Sequence, residues 1–294
     1  MLNYKIKNPM KNILLLVSSS LLLVISLKAQ DADKKVRFGL KISPTPTWFR
    51  SDNKNIEKSG AKFGFGFGLQ TEFRINSTAS FVTGIGGDLL GGKQAYKNNA
   101  QGYVLNKDNE YVDSKQIDFV AGATSFTASS NTNKFYEIKS RSVKATYVTI
   151  PVLLKLMTKD ISSMKYYGIF GGNIAIQTKF NATDEVALVS YNASSGKYEA
   201  ATSTSKIEDL RPSGDLIPIN LGLNVGIGAE YNLSGSTSLF FSINYLRGFI
   251  NQYQRYSDIM VDNITTNVNN GTAPARSKQS AFSDAIQLNI GILF

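Results

Sequence analysis

Ile286-Gln287-Leu288-Asn289-Ile290-Gly291-Ile292-Leu293-Phe294 puts Ile286, Leu288, Ile290, Ile292 and Phe294 on one side of an extended chain. Gln287, Asn289 and Gly291 fall on the other. A two-residue period is the signature of a strand with one apolar and one polar face. The pattern recurs upstream and predicts eight strands, at 36–49, 61–75, 79–90, 143–156, 165–178, 217–232, 238–250 and 281–294. The second is the cleanest: Phe63, Phe65, Phe67, Leu69, Phe73 and Ile75 oppose Gly64, Gly66, Gly68, Gln70, Glu72 and Arg74. In the fourth, Pro151 interrupts an otherwise regular run. Because proline cannot donate to a ladder, a bulge is expected there.

The connections sort by parity. Strands two and three, four and five, and six and seven are joined by a few residues each. The other links are long, and 93–142, 181–216 and 251–279 are read as loops, with alternation at 135–143 carrying strands three and four outward as a hairpin. In a barrel with both chain ends on one side, every second connection lies at the same end. Short turns on one rim and long loops on the other are the outcome. The fold expected is therefore all-β: an eight-stranded antiparallel up-and-down transmembrane β-barrel with long extracellular loops.

Alternation alone does not say which face meets lipid, since a soluble ligand-binding barrel inverts it. Two features favour apolar-out. The polar faces carry glycine and mid-strand charges, and the apolar faces end near the turns in Phe73, Phe81, Tyr166, Tyr231 and Phe294, as an interfacial aromatic girdle would. Eight tilted strands leave an interior that side chains fill. Arg37, Lys41, Glu72, Arg74, Lys155 and Glu230 are expected there as a paired lumen charge network, because isolated charges would be costly. A structural plug is preferred to an ion path.

Residues 1–29 read as a secretory leader: Lys5, Lys7 and Lys11 precede an apolar stretch at 13–27, and Leu27-Lys28-Ala29 offers a cleavage point before Gln30. Residues 30–294 then form the barrel domain. Removing 29 of 294 residues leaves 265, and loss of the leader's four lysines lowers the net charge from +10 to +6. No basic block accompanies that charge, so nucleic acid is not an expected partner. Outer-membrane lipid, lipopolysaccharide and other envelope proteins are. The chain has no cysteine and no histidine. Disulfides, thiol nucleophiles, imidazole ligands and Ser-His-Asp chemistry are excluded. Asn106-Lys107-Asp108-Asn109-Glu110 with Asp113 lacks the glycine and spacing of a calcium loop. No cofactor, metal site or catalytic residue is expected.

Tyr147-Val148-Thr149-Ile150-Pro151-Val152-Leu153-Leu154-Lys155 followed by Tyr167-Gly168-Ile169-Phe170-Gly171-Gly172 resembles a signature of the PorT-like outer-membrane β-barrel family of Bacteroidota. Arg37-Phe38-Gly39-Leu40-Lys41 and the leader ending in Ala29-Gln30 are similar to it as well. The chain departs at Thr149, where Glu is frequent, and in its long loops. The resemblance implies an eight-stranded outer-membrane barrel, some of whose relatives serve type IX secretion. The function expected is a non-enzymatic integral outer-membrane protein with a structural or interaction role. It would be an accessory to an envelope machine or, alternatively, a surface receptor or adhesin that binds through its loops.

Overall fold

A computed structural model of the protein describes residues 35–116, 133–272 and 275–294. The leader expected at 1–29 lies outside them. Eight long strands form the frame: β1 (Val36–Arg50), β2 (Lys62–Arg74), β3 (Ala79–Tyr96), β4 (Lys134–Met157), β5 (Met164–Asn192), β6 (Ile219–Ser234), β7 (Thr237–Gly248) and β8 (Phe282–Leu293). Each pairs antiparallel with its sequence neighbour. β1 also pairs with β8, Gly39 opposite Leu293 and Ile42 opposite Ile290, which closes the ring. A closed ring leaves no unpaired edge, a condition that any sheet in hydrocarbon must meet.

The short connections are tight turns. Asn76 accepts hydrogen bonds from the Thr78 amide and hydroxyl at 2.8 and 3.1 Å. Ser162 and Ser163 both take positive φ between bridged Ile161 and Met164, the backbone of a hairpin turn. Gly235, at φ +55°, joins β6 to β7.

The outward faces are apolar. Phe63 is 78% exposed, Ile227 71% and Phe170 62%. Near the turns, Phe73, Phe81, Tyr166, Tyr231 and Phe294 all face outward. These rows cannot belong to a water-facing surface of this size; they form the lipid belt.

Above the belt the observed structure departs from the reading of long loops. A strand needs about 10 residues to cross a bilayer, yet β4 has 24 and β5 has 29. Both rise past the belt, and the segments read as loops fold around them. Gln101–Leu105 pairs with β4; Tyr256–Asp262 pairs with Gln101–Leu105 and with Arg276–Lys278. Lys197–Ala200 and Ser205–Leu210 pair with β5, and Ile56–Lys58 with the upper end of β3. A short helix, α1 (Ile264–Asn270), packs Ile264 and Val268 inward. The hairpin expected from strands three and four is mainly one of β4 with β5, although β3 stays paired with β4 as far as Ala95 opposite Ser140.

Breaks in alternation account for the strand ends missed in the sequence. The β4–β5 register shifts once beside Lys139 and again at Thr178, where Thr146 faces Lys179 but Tyr147 faces Gln177. Each bulge reverses the face on which following residues lie. Pro151 makes no bulge. It stays in register opposite Asn173 on β5. Towards β3 the pairing lapses over Gly84 and Ile85 and resumes in the same register. The missing N–H opens the ladder locally without inserting a residue.

Candidate functional site

The interior is layered. Near the turns, four of the six expected lumen residues meet. Arg37 donates to Glu72 at 2.9 Å and to Glu230 at 3.0 Å. Lys155 donates to Glu72 at 2.9 Å and pairs with Glu230. Their side chains are almost fully buried. Two cations and two carboxylates on β1, β2, β4 and β6 close a neutral square across the lumen, in which each carboxylate meets both cations. Lys155 also lies 4.4 Å above the Tyr167 ring. A methyl on Gly228 would strike that ring, so glycine is what lets Tyr167 lie under the network.

Lys41 and Arg74 do not join the square. Arg74 sits one inward position nearer the turn, opposite Ser80. Lys41 occupies the next layer up beside Asp88, which accepts a bond from Thr149 at 2.6 Å. A cavity of about 20 Å³ separates these groups from Gln70, Asn173 and Gln287, room for a single water-sized molecule. Around the opposite wall runs a chain of amides. Ser43 donates to Asn289 at 2.7 Å, Asn289 to Asn244 at 3.2 Å, Asn244 to Asn224 at 2.8 Å and Asn224 to Asn173 at 3.1 Å. These five residues lie on β1, β8, β7, β6 and β5 and satisfy one another without charge. Sequence reasoning placed Asn224 and Asn289 on polar faces but did not see the asparagines as a network.

The upper interior is apolar. Phe49, Tyr103, Ile138, Val143, Phe180, Ala182, Leu210 and Met260 belong to one buried cluster. Inside it Arg141 makes a two-pronged contact with Asp184, Nε to Oδ1 at 2.8 Å and an Nη to Oδ2 at 2.7 Å. The same guanidinium donates to the Tyr111 hydroxyl at 3.0 Å. Burial works against the Arg141 charge, but Asp184 together with Tyr111 and Tyr96 outweighs it, and the guanidinium is held well above its ordinary range. Burial raises the Tyr96, Tyr103, Tyr111 and Tyr253 hydroxyls above theirs. Asp215 fastens a second seam, pairing with Ser257 and accepting the Asp258 amide at 2.9 Å. Arg141 and Asp184 were missed because both lay in segments read as loops. The continuing inward parity of Arg141, Val143, Ala145 and Tyr147 was the available signal.

The candidate calcium loop is a hydrogen-bonded turn, with the Asn106 side chain accepting the Asp108 and Glu110 amides. At the far tip, Tyr191, Lys197, Thr266 and Asn270 line an open cavity of about 390 Å³. Asn269 braces it by bonding both backbone groups of Tyr198.

A closed eight-strand ring, polar within and apolar without, carrying a folded extracellular head, defines an integral outer-membrane β-barrel protein. The chain belongs to the outer membrane protein beta-barrel domain family, whose model matches residues 28–254. Its location is the cell outer membrane. No curated protein matches the sequence. Among solved structures, the chain is similar to OprG of Pseudomonas aeruginosa, at 11% identity and a TM-score of 0.36, covering 90% of this chain and 99% of that one. It is also similar to Neisserial surface protein A, at 9% identity and a TM-score of 0.35, with 88% and 96% covered. A third is the attachment invasion locus protein Ail of Yersinia pestis in complex with the heparin analogue sucrose octasulfate, at 10% identity and a TM-score of 0.30, with 89% and 100% covered.

Proposed function

We propose that this protein is a non-enzymatic surface-interaction barrel, in which the membrane ring is a closed pedestal and the extracellular head is the working part. The observation that carries this reading is the order of the head: a buried Arg141–Asp184 pair inside an apolar cluster fixes the surface that the head presents. Unstructured loops would not need a desolvated ion pair to specify one arrangement. The lumen residues Arg37, Glu72, Lys155 and Glu230 act as a structural plug, since each charge is matched and the asparagine layer lies above them.

The head binds partners at the cell surface, as a receptor or adhesin does, and the tip cavity beside Tyr191 is the first place to test. Whole-cell binding to host or neighbour surfaces, compared between the parent and a Tyr191→Ala/Lys197→Ala variant, should drop at least several-fold in the variant. Equal binding by cells with and without the protein overturns the receptor reading. The finer reading, a PorT-like accessory to an envelope machine such as type IX secretion, rests on the motif at Tyr147–Lys155 and predicts a protein partner. That partner should co-purify from detergent-solubilised membranes whatever the tip residues are, whereas recovery only as a lone monomer counts against it.

A further inference from the structure

The lipid belt has a one-sided cationic rim. Lys93 on β3, Lys144 on β4 and Lys179 on β5 are exposed on the outer face just above the last apolar positions, which include Leu89 and Ile176. Lys179 faces outward because of the bulge at Thr178. The fourth member, Lys62, starts β2 on the inward parity yet does not stay inside. Its stem lies over Gly91, and its ammonium donates to the Val143 carbonyl at 3.2 Å. The β2–β3 pairing begins only at Phe65 opposite Leu89, which leaves space for that side chain to cross. Phe63, the next residue and the most exposed large apolar side chain among the described residues, marks the belt's edge.

The charges acting on Lys62 are those of Lys144 and Lys93, both of the same sign. Among the described residues, none of the four lysines has a carboxylate within 4.0 Å. Acids stand near the group without pairing with it: Glu57, opposite Ala95 and 3.9 Å from Lys97, and Asp209, held by Asn181, the partner of Lys144 across the β4–β5 ladder. On the opposite wall Arg50 is paired with Asp284 at 3.1 Å, and Arg247 stands as a single exposed cation. Like charges gathered at one depth, none of them held in an ion pair among the described residues, call for an anion at that depth. The height is that of the headgroups flanking a hydrocarbon layer.

We infer that Lys62, Lys93, Lys144 and Lys179 form a binding site for the phosphate groups of a phosphorylated glycolipid in the outer leaflet, whose acyl chains lie on the belt below. This rests on the outer-membrane placement and gives lipid, until now a general partner, a defined seat. Lysine serves a phosphomonoester as a mobile point charge, so exchange to glutamine removes the attraction while keeping the stems.

The test is native mass spectrometry of the full protein in detergent with bis-phosphorylated lipid A, against the same lipid after dephosphorylation. The parent is expected to retain the phosphorylated lipid at least tenfold better. A K62Q/K93Q/K144Q/K179Q variant should lose that preference, at roughly fivefold per lysine, while Arg247→Gln keeps it. Equal retention of the two lipids, an undiminished preference in the quadruple variant, or displacement by inorganic phosphate at equal concentration overturns the site. Heat-modifiable migration of each variant on unboiled gels reports the barrel separately, so failure of the site is not confused with failure of the fold.

Discussion

Within single strands, β4 and β5 pass through two opposite kinds of packing. In the belt their inward side chains mix polar groups, Lys155, Thr149 and Asn173 among them, with Leu153 and Tyr167, and their outward ones are apolar, Ile174 and Ile176 among them. In the head, Phe180, Ala182 and Val186 of β5 turn inward into a dry cluster, and the outward positions carry Lys179 and Lys144. The even-numbered apolar series on β5 runs on almost unbroken from Ile174 to Val186. The one-residue bulge at Thr178 switches that series from the outside to the inside. The medium explains the switch. Beside hydrocarbon, an apolar exterior has no aqueous surface to escape and the interior must satisfy its own polar groups. Beside water, the same side chains gain by burial.

The contrast can be broken most strongly at the head's ion pair. Asp184→Ala leaves Arg141 buried without its partner, at an expected cost of about 3–5 kcal/mol. Limited proteolysis should open the head around Gln101–Leu105 while unboiled samples keep the fast-migrating barrel band. Loss of both together would mean that the two regions are not separable. Next in size is the belt: Ile227→Lys places a charge on the lipid face and should cost about 2–4 kcal/mol in a denaturant titration of refolding into bilayers. A substitution with no effect there would show that Ile227 does not face lipid.

Alkali separates the regions by chemistry. The hydroxyls of Tyr96, Tyr103 and Tyr253 are held neutral by burial, so their folded values lie above those of the unfolded chain. Because the unfolded tyrosines ionise first, stability is intact below pH about 10 and falls as pH rises beyond it, by about 1.4 kcal/mol per unit for each tyrosine. The phenolate absorbance of the head should therefore lag behind that of exposed tyrosines and then rise with proteolytic opening of the head. The smallest effect is expected at Pro151→Val, which restores one N–H towards Gly84. It should change stability by less than about 1 kcal/mol, and protection of the neighbouring amides in hydrogen exchange should increase.

The strand count, the parity of the connections and the outward direction of the Phe63–Phe73 row were legible in sequence because a period of two over ten residues has no other economical reading. Four lumen charges were legible for the same reason, as their faces followed from their neighbours. Lys41 and Arg74 share that face, but their depth along the axis was not legible, since period says which side a residue takes and not how high it sits relative to other strands. The head was not legible as a folded unit. Its strands are interrupted by the Gly91-Gly92 pair and by bulges at Lys139 and Thr178, where counting by twos gives the wrong face.

Residue order alone thus determined a closed sheet with one greasy side, because alternation is a local property of an extended chain. Only the assembled barrel decided where the greasy side changes from exterior to core, which cations lie within reach of which carboxylates, and that Arg141 and Asp184 meet. Those outcomes depend on register and bulges, set by the fit of whole strands to one another and to the two media they cross.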